Sequence, residues 1–317
     1  MSAILMMIVA QSLQIPSANL VTIGVLSNPA EGELAKKYYQ GDPFSFLPGS
    51  VADYIGTIGG HPIMIPFDVD WEKLQYILDR IDGLVLWSEG TSSPYFNEVS
   101  EKAFNYCLQK NTNGNKYPIL AIGSAMHTII KASGNTQGLI CSTTPTRGLK
   151  SLTIYPLFST SQFFNAMDMP KLSESIFPHP SMYYTHRCTI SPEEFTKNEY
   201  MNREYQILGV SREPSPQVGI IEHRKYPIIG VLFHPEKNIY ERGDLYSELY
   251  RNDETITFCK AIMRRIAQII RASGNPRLFK EISSQVKQYF SMYRPYELPM
   301  VDEYERIVSF QRFNNLQ

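Results

Sequence analysis

The chain contains little cysteine and has no excess of charge of either sign. Its 317 residues include only four cysteines, Cys107, Cys141, Cys188 and Cys259. No two of them have the C-x-x-C spacing of a zinc or redox site, and they are too few for a disulfide scaffold. The 30 basic and 31 acidic side chains nearly cancel, which excludes a whole-protein attraction to nucleic acid. We therefore expect no metal site, no cofactor and no nucleic-acid partner.

The sequence also lacks an apolar run long enough to span a membrane. Its first apolar run, Ala3–Ala10, is much shorter than the roughly 20 residues that a transmembrane helix needs. Pro16, Ser17 and Ala18 come next, as in the cleavage region of a signal peptide, but no Lys or Arg precedes the run and the chain has no N-x-S/T sequon. Two interpretations of residues 1–20 stay open: a cleaved signal peptide, or a retained strand or helix.

The fate of this N-terminal segment decides the expected compartment. Cleavage predicts a protein of the secretory pathway, located in the lysosome, in the vacuole or outside the cell. Retention predicts an organelle-associated complex in which the segment docks onto a partner or onto a membrane surface. Through the rest of the chain we expect no membrane contact.

Short apolar runs separated by turn residues characterise the chain after this segment. Hydrophobic residues make up 43% of the composition, which is enough for a large core. Four runs predict buried strands: Val21–Ser27, His61–Phe67, Leu84–Trp87 and Tyr117–Ile122. Helical spacing predicts four helices: Ser50–Ile58 with Ser50 as its N-cap, Leu74–Asp79, Val99–Lys110 and Met126–Ala132. Pro, Gly and polar residues between positions 28 and 49 predict a long loop.

The second half of the chain adds further strands and a late amphipathic helix. The predicted strands are Leu139–Ser142, Leu152–Leu157, Met182–Tyr184, Val218–Glu222 and Pro227–Phe233, and the helix comes after Thr255. Strands that alternate with helices predict an α/β fold with a doubly wound, mostly parallel sheet flanked by helices. We predict one domain over residues 21–317, with its site at the carboxyl ends of the strands.

A histidine and a glutamate stand directly after the last predicted strand, as His234-Pro235-Glu236. A carboxylate two residues away can orient the imidazole, so that the second ring nitrogen is free to accept a proton. By itself the pair is also compatible with a structural histidine beside a surface glutamate. The pair is therefore a candidate base that needs a nucleophile.

The surrounding stretch, YPIIGVLFHPEKNIY at Tyr226–Tyr240, resembles the C-terminal catalytic motif of gamma-glutamyl hydrolases, members of the class I glutamine amidotransferase-like superfamily. The resemblance extends through VTIGVLS at Val21, VADYIGTIGGHPIMIPFD at Val51, IDGLVLW at Ile81, YYTHRCTISPEEF at Tyr183, and the SMYRPY and YERIVSF segments of the tail. It implies the flavodoxin-like fold of that superfamily.

The family resemblance also implies a chemistry, which is the cleavage of γ-glutamyl bonds of folate polyglutamates by a Cys, His and Glu triad. On the matching positions, His234 is the base and Glu236 the acid that orients it. His186 matches a further histidine near the substrate. A folate or another γ-glutamyl compound is the ligand that the resemblance implies.

The nucleophile position departs from the family pattern. Where the family has P-V-W-G-T-C-L-G-F-E, this chain has P-I-L-A-I-G-S-A-M-H, which aligns the cysteine with Gly123. A shift of one residue would place Ser124 there instead. A nucleophile elbow needs small residues two positions to either side, and Gly123 has Ala121 and Ala125, whereas the corresponding neighbours of Ser124 are larger. Glycine also relieves the backbone strain of an elbow that no longer holds a nucleophile.

The oxyanion loop departs from the pattern as well. The family has F-P-G-G after the third strand, and this chain has L-W-S-E at Leu86–Glu89. Glycines let backbone N–H groups approach a developing oxyanion, and here Ser88 and Glu89 replace them. If Glu89 faces the pocket, its carboxylate would repel both the oxyanion and the glutamate tail of a substrate.

None of the cysteines is well placed to act instead. Cys107 and Cys259 lie among apolar residues of two predicted helices, which favours burial in the core. Cys141 matches a position where the family often has a non-catalytic cysteine. Cys188, two residues after His186, is the only cysteine near the expected pocket, so a rerouted nucleophile would have to be this one. The pairing of the four cysteines stays open.

The sequence therefore predicts a gamma-glutamyl hydrolase fold without hydrolase chemistry, a pseudoenzyme that keeps His234 and Glu236 and lacks a nucleophile at Gly123. We expect a binding or structural role beside other protein subunits, in a homo-oligomer or a larger complex. Two alternatives stay open: an active hydrolase that uses Ser124, and a binder that holds γ-glutamyl tails without cutting them.

Overall fold

The computed structural model describes residues 21–30, 44–90, 93–133, 136, 138–165, 167, 171–172, 174, 176, 179–212, 215–242, 246–273, 293–301 and 304–312. The predicted N-terminal segment, residues 1–20, lies outside these described residues. Within them, no helix has both the length and the apolar character needed to cross a membrane.

Strands and helices alternate along most of the described chain. In chain order the strands are β1 (Thr22–Leu26), β2 (Asn28–Ala30), β3 (Phe44–Pro48), β4 (His61–Ile65), β5 (Gly83–Ser88), β6 (Ile119–Gly123), β7 (Leu139–Lys150), β8 (Thr153–Ile154), β9 (Met182–Ile190), β10 (Tyr205–Ser211), β11 (Gln217–His223), β12 (Ile228–Val231), β13 (Tyr293–Val301) and β14 (Tyr304–Arg312). The α-helices are α1 (Gly49–Gly56), α2 (Trp71–Leu78), α3 (Pro94–Thr112), α4 (Met126–Ala132), α5 (Pro192–Lys197), α6 (Glu199–Glu204), α7 (Pro235–Tyr240) and α8 (Asp253–Ala272), and a 3₁₀ helix covers Pro156–Thr160.

The central sheet has eight strands in the order β4-β1-β5-β6-β12-β11-β10-β8. The first five pair in parallel and the last three are antiparallel. Strands β1, β5 and β6 are buried along their whole length, which is typical of parallel strands with both faces covered. The predicted α/β fold with a mostly parallel sheet is confirmed.

A second sheet forms from parts of the chain that are far apart in sequence. Its order is β13-β14-β3-β2, and β3 pairs antiparallel with both β2 and β14. The loop predicted between positions 28 and 49 is therefore wrong at Asn28–Ala30 and Phe44–Pro48, where pairing with other strands outweighs the Pro-rich local sequence. Ser50 is not the N-cap of α1, because the helix already begins at Gly49, directly after β3.

The late helix packs as predicted. In α8, side chains at helical spacing are buried on one face, among them Phe258, Ile262 and Ile266. Asn252 caps its start by accepting the backbone N–H of Thr255 at 2.8 Å. The apolar stripe is thus a core surface of this helix.

The parallel strands place the candidate residues at one edge of the sheet. Ser88 and Gly123 end the neighbouring strands β5 and β6, and His234 lies just after β12, the next strand in the sheet. Strand β9 is brought to the same edge by a bridge between Tyr184 and Phe233. The carboxyl ends of three parallel strands and one added strand therefore converge, as expected for a site in an open α/β sheet.

Candidate active site

The turn between β6 and α4 has the geometry of a nucleophile elbow with no side chain at its apex. Gly123 has a φ of 64°, in the left-handed region that favours glycine. A Cβ added there would lie 2.4 Å from His234 Nε2 and 2.5 Å from the carbonyl oxygen of Ser88. The backbone of Gly123 therefore faces the histidine directly, and the imidazole and a backbone carbonyl already fill the space that a side chain would need.

Ser124 is directed differently from Gly123. Its side chain lines a cavity beside the elbow, and a Cβ added at Gly90 would lie 3.2 Å from its hydroxyl oxygen. The hydroxyl is buried and has no hydrogen-bond partner among the described residues. No hydrogen bond joins Ser124 Oγ to His234 in the part of the chain that the structure describes, so the structure does not bring this alternative nucleophile onto the candidate base.

His234 and Glu236 form a fully buried pair. Nδ1 of His234 lies 2.8 Å from Oε1 of Glu236, and both side chains have no exposed surface. The same carboxylate oxygen accepts the indole N–H of Trp87 at 2.8 Å. Two donors therefore hold the carboxylate, and the carboxylate in turn fixes the orientation of the imidazole.

The second ring nitrogen of His234 does not face a nucleophile. Nε2 lies 3.2 Å from the carbonyl oxygen of Thr185, on strand β9. A carbonyl oxygen only accepts hydrogen bonds, so this contact is favourable only when Nε2 carries a hydrogen. In a general base that position must instead hold the lone pair that takes the nucleophile's proton. Because Nδ1 donates to Glu236, Nε2 of the uncharged ring keeps its lone pair, and the described residues place a backbone carbonyl beside it instead of a nucleophile.

Ser88 accepts hydrogen bonds from two backbone N–H groups beside the elbow. Its carbonyl oxygen accepts the N–H of Ser124 at 2.7 Å, and its hydroxyl accepts the N–H of Gly90 at 3.0 Å. In elbows of this type, the N–H that comes after the nucleophile is one of the oxyanion donors. Here the N–H that comes after Gly123 is already bound to the Ser88 carbonyl, so it is not available to a developing negative charge.

Glu89 does not face the pocket. Its carboxylate pairs with the ammonium of Lys237, whose side chain is fully buried and also donates to the Tyr246 hydroxyl at 2.8 Å. Burial alone would lower the pKa of Lys237, but the Glu89 carboxylate and the Tyr246 hydroxyl outweigh it and raise that pKa above its ordinary value. The expected repulsion between Glu89 and a bound substrate therefore does not arise, because a buried ammonium requires this counter-charge.

His186 lies on β9 directly after Thr185 and is also buried. Its Nε2 is 3.4 Å from the ammonium of Lys150, and burial together with that ammonium lowers the pKa of His186 to about 3. Its Nδ1 has no hydrogen-bond partner among the described residues. His186 is thus an uncharged side chain close to the dyad, and the substrate-side role that the resemblance implies for it stays a prediction.

The structure shows the bonding state of all four cysteines. Cys141 and Cys188 lie opposite each other on β7 and β9 and form a disulfide, so Cys188 has no free thiol. Cys107 and Cys259 are free and buried, which confirms their predicted place in the core. Burial raises the pKa of Cys107 to about 12 and raises that of Cys259 even further. A rerouted cysteine nucleophile is therefore excluded by the bonding of Cys188.

Three residues of the site carry little signal in the sequence. The pattern indicates Trp87 only as the end of a strand, Thr185 acts through its backbone, and Lys237 belongs to a short helix. A lysine directly after Glu236, close to an apolar run, is the one local sign of a buried charge. The contacts of Trp87 and Thr185 depend on strands that meet only in three dimensions.

Comparison with known proteins places the chain among related sequences. It matches the family described as Glutamine amidotransferase class-I over residues 47–249. Gamma-glutamyl hydrolase 2 of Arabidopsis thaliana is 23% identical over 277 residues, which cover 86% of this chain and 79% of that protein. The gamma-glutamyl hydrolase of Mus musculus is 23% identical over 239 residues, covering 70% of this chain and 69% of that protein.

A solved structure supports the fold. The crystal structure of a GMP synthase subunit-like protein from Thermoplasma acidophilum has a TM-score of 0.50 with this chain at 16% identity, covering 84% of this chain and 98% of the other. At this identity the likeness concerns the fold alone. Together, the family match and the structural likeness agree with the motifs quoted above.

Proposed function

This chain belongs to the class-I glutamine amidotransferase family and to its gamma-glutamyl hydrolase group. From that premise we propose that it is a binding or structural protein that does not hydrolyse γ-glutamyl bonds. The observation that carries the proposal is at Gly123. The elbow holds no nucleophile, and the space for a Cβ is filled by Nε2 of His234 at 2.4 Å and the Ser88 carbonyl at 2.5 Å. The fold is that of a hydrolase, while the reacting atom is missing and its place is occupied.

Two further contacts support the loss of hydrolysis. Nε2 of His234 faces the Thr185 carbonyl, and Ser88 engages the N–H groups of Ser124 and Gly90. Losing a triad nucleophile costs a factor of about 10⁶ in turnover. Losing one oxyanion donor costs about 10² to 10³ more. With both losses combined, hydrolysis by the family's mechanism should fall below detection.

The buried framework around the dyad supports a retained binding or structural role. His234, Glu236 and Lys237 are fully buried and stay hydrogen-bonded or ion-paired, although no catalysis requires them. Such a framework keeps the strand ends in fixed positions. We propose that the protein works as a subunit beside other protein chains or as a holder of a γ-glutamyl ligand, and its predicted apolar N-terminus suits docking.

Hydrolysis by Ser124 is the alternative, and one observation favours it. The Ser124 hydroxyl is buried, lines a cavity and has no hydrogen-bond partner among the described residues. Against it, the Ser124 hydroxyl makes no hydrogen bond to His234 within the described residues. Within the described residues, Ser124 therefore lacks a hydrogen-bonded base to take its proton.

The test is a hydrolysis assay with the purified full chain and folate polyglutamate, with mass spectrometry of the products. A gamma-glutamyl hydrolase run in parallel shows that the substrate is competent. We expect no shortened chains above the buffer blank. Turnover that disappears in Ser124→Ala would overturn the proposal in favour of the alternative, and turnover that survives in Ser124→Ala but disappears in His234→Ala would overturn it in favour of another nucleophile.

A second measurement separates the binding roles. The native mass and the co-purifying proteins are determined for the protein isolated at its natural abundance. A larger assembly of defined stoichiometry supports the subunit role. A monomer that carries folate would exclude that role and support the holder of γ-glutamyl ligands.

A further inference from the structure

A cavity of about 240 Å³ lies beside the elbow, separate from the closed contact between Gly123 and His234. It is bounded by the end of β5, the beginning of α4, and the part of β9 that carries the Cys141–Cys188 disulfide. The residues that matter for its chemistry are Ser88, Asn97, Ser124, His127, Lys131 and Arg187. Its volume suits a small molecule with a few carbon atoms.

The charges around this cavity all have one sign. Lys131 and Arg187 are its charged side chains, and no Asp or Glu occurs among the described residues that line it. In the part of the chain that the structure describes, Lys131 has no ion pair, and Arg187 donates only to the backbone carbonyl of Thr143. Two cations without a counter-charge in a partly enclosed space favour an anion there.

Three buried polar atoms of the lining residues also lack partners. His127 is only 3% exposed, and its Nε2 has no hydrogen-bond partner among the described residues. The same holds for Oγ of Ser124 and Nε of Arg187. Buried polar groups are normally hydrogen-bonded, so a group of three around one cavity indicates a ligand that satisfies them. Ser124 and Arg187 can both donate to the oxygens of an anion.

The absence of an acidic group also defines what the cavity rejects. An ammonium group on the ligand would meet Lys131 and Arg187 with no carboxylate among the described lining residues to offset the repulsion. A zwitterionic amino acid should therefore bind less well than the same carbon skeleton without its amine.

We propose that this cavity binds a small dianion, either a dicarboxylate or a phosphate, that carries no ammonium group. Lys131 and Arg187 supply the charge, and Ser124 and Arg187 supply hydrogen bonds. The inference rests on the proposed function in one respect, because an occupant beside an elbow without a nucleophile is a bound ligand and not a substrate.

The test is isothermal titration calorimetry of the full chain with three probes: inorganic phosphate, glutarate and glutamate. Glutamate has the two carboxylates of glutarate and adds an ammonium, so this pair isolates the effect of that group. We expect binding of phosphate or glutarate, and we expect glutamate to bind at least about tenfold more weakly than glutarate. Binding of phosphate alone would identify the ligand as a phosphate, and binding of glutarate alone would identify it as a dicarboxylate.

Variants locate the site. Lys131→Gln should weaken binding of the preferred anion about tenfold, and Lys131→Arg, which keeps the charge, should stay within about threefold of the wild type. Lys102→Gln is the matched control, because Lys102 is an exposed lysine of α3 paired with Glu98. Circular dichroism and urea unfolding show that each variant is folded.

The proposal is overturned if neither phosphate nor glutarate binds at about 10 mM. It is also overturned if glutamate binds as tightly as glutarate, or if Lys131→Gln binds like the wild type in a folded protein. Each of these results can occur with the hydrolysis assay still negative, in which case only the cavity assignment fails. Cleavage of folate polyglutamate would instead contradict the proposed function, whereas the titration results would still decide whether the cavity binds an anion.

Discussion

The carbonyl oxygen of Ser88 accepts the backbone N–H of Ser124 at 2.7 Å. Because Ser88 pairs with Gly123 in the parallel register of β5 and β6, this bond continues the ladder of the central sheet by one step. The sheet therefore extends into the region where a hydrolase would leave an N–H group free. The engagement of the Ser124 N–H is therefore a property of the strand pairing and does not depend on a side chain.

Gly123→Cys alone should destabilise the protein and give at most trace hydrolysis. The new Cβ would lie within 2.5 Å of His234 and of the Ser88 carbonyl, in a backbone conformation with φ of 64°. Strain and overpacking together should cost about 2–5 kcal/mol of unfolding free energy. Urea denaturation measures this cost.

Gly114→Ala is the matched control for that variant. Gly114 also has positive φ, at 92°, but an added Cβ would have nothing within 4 Å. Its cost should be only about 1 kcal/mol, from backbone strain alone. Equal losses in the two variants would show that the space at Gly123 is not filled as described.

Adding Ser88→Gly to Gly123→Cys should recover γ-glutamyl hydrolysis. A glycine at position 88 removes the hydroxyl that holds the Gly90 N–H and lets the peptide turn its carbonyl away from Ser124. The double variant should exceed Gly123→Cys by a factor of about 10² in turnover of folate polyglutamate. Glu89 is left in place, since it neutralises Lys237. Silence in a folded double variant would argue against Gly123 as the nucleophile position.

Glu89→Gln should be strongly destabilising although it lies in a loop. It leaves the fully buried ammonium of Lys237 without its counter-charge. Breaking one side of a buried pair costs about 3–5 kcal/mol, whereas removing both partners costs much less. Urea denaturation should therefore show that the double variant, Glu89→Met with Lys237→Met, is more stable than the single variant Glu89→Gln. Removing the exposed Lys102–Glu98 pair, as a control, should barely change the urea midpoint.

Stability should fall as the pH is lowered from 7 to 5. Burial and the Lys131 ammonium lower the pKa of His127 to about 4 from an ordinary value of 6.5. Between these two values the unfolded chain binds more protons than the folded one, so acid favours unfolding in that window. His127 alone should contribute a loss of about 2 kcal/mol between pH 7 and pH 5.

Urea denaturation at the two pH values measures this effect, and His127→Gln should flatten it by that amount. His186 and His223 act in the same direction, because burial lowers the pKa of these histidines to about 3 and about 4. An unchanged dependence in His127→Gln would show that this imidazole is not the buried, neutral group described.

Reduction of the Cys141–Cys188 disulfide should destabilise the fold. The bond links residues 47 positions apart, and closing a loop of this length stabilises a protein by about 4 kcal/mol in the chain-entropy description. Cys141→Ser with Cys188→Ser should lose a similar amount in urea denaturation. In protein taken directly from its source, alkylation after unfolding without reductant should modify only Cys107 and Cys259. Modification of all four thiols would place the protein in a reducing compartment.

Much of the fold could be predicted because local sequence and burial agree in the parallel strands. VTIGVLS and YPILAI are continuous apolar runs, as expected of strands covered on both faces. Strand β10, Tyr205–Ser211, escapes prediction because its apolar run, Ile207–Val210, is only four residues long and contains Gly209, which weakens a strand signal. Strand β3 escapes it because its partners β2 and β14 supply the pairing, and β14 lies more than 250 residues away in the chain.

Within the site, the sequence is informative about types of residue and uninformative about their directions. The small neighbours of Gly123 predict the elbow, since close packing of strand and helix restricts side-chain size locally. For Glu89 the same reasoning cannot decide between the pocket and the core. The direction of the Glu89 side chain depends on Lys237, which lies on α7 and comes close to Glu89 only once the sheet has folded. The role of Ser88 depends likewise on the pairing of β5 with β6.

The filled space at Gly123 also limits which single substitutions this chain tolerates. Because His234 and the Ser88 carbonyl lie against the glycine, a cysteine introduced there by one substitution would lower stability before it gave any turnover. On the proposed function, a mutational route to a nucleophile at this position would therefore need a compensating change at Ser88 first. Substitutions in the neighbouring cavity face no such order, because that cavity is separate from this contact.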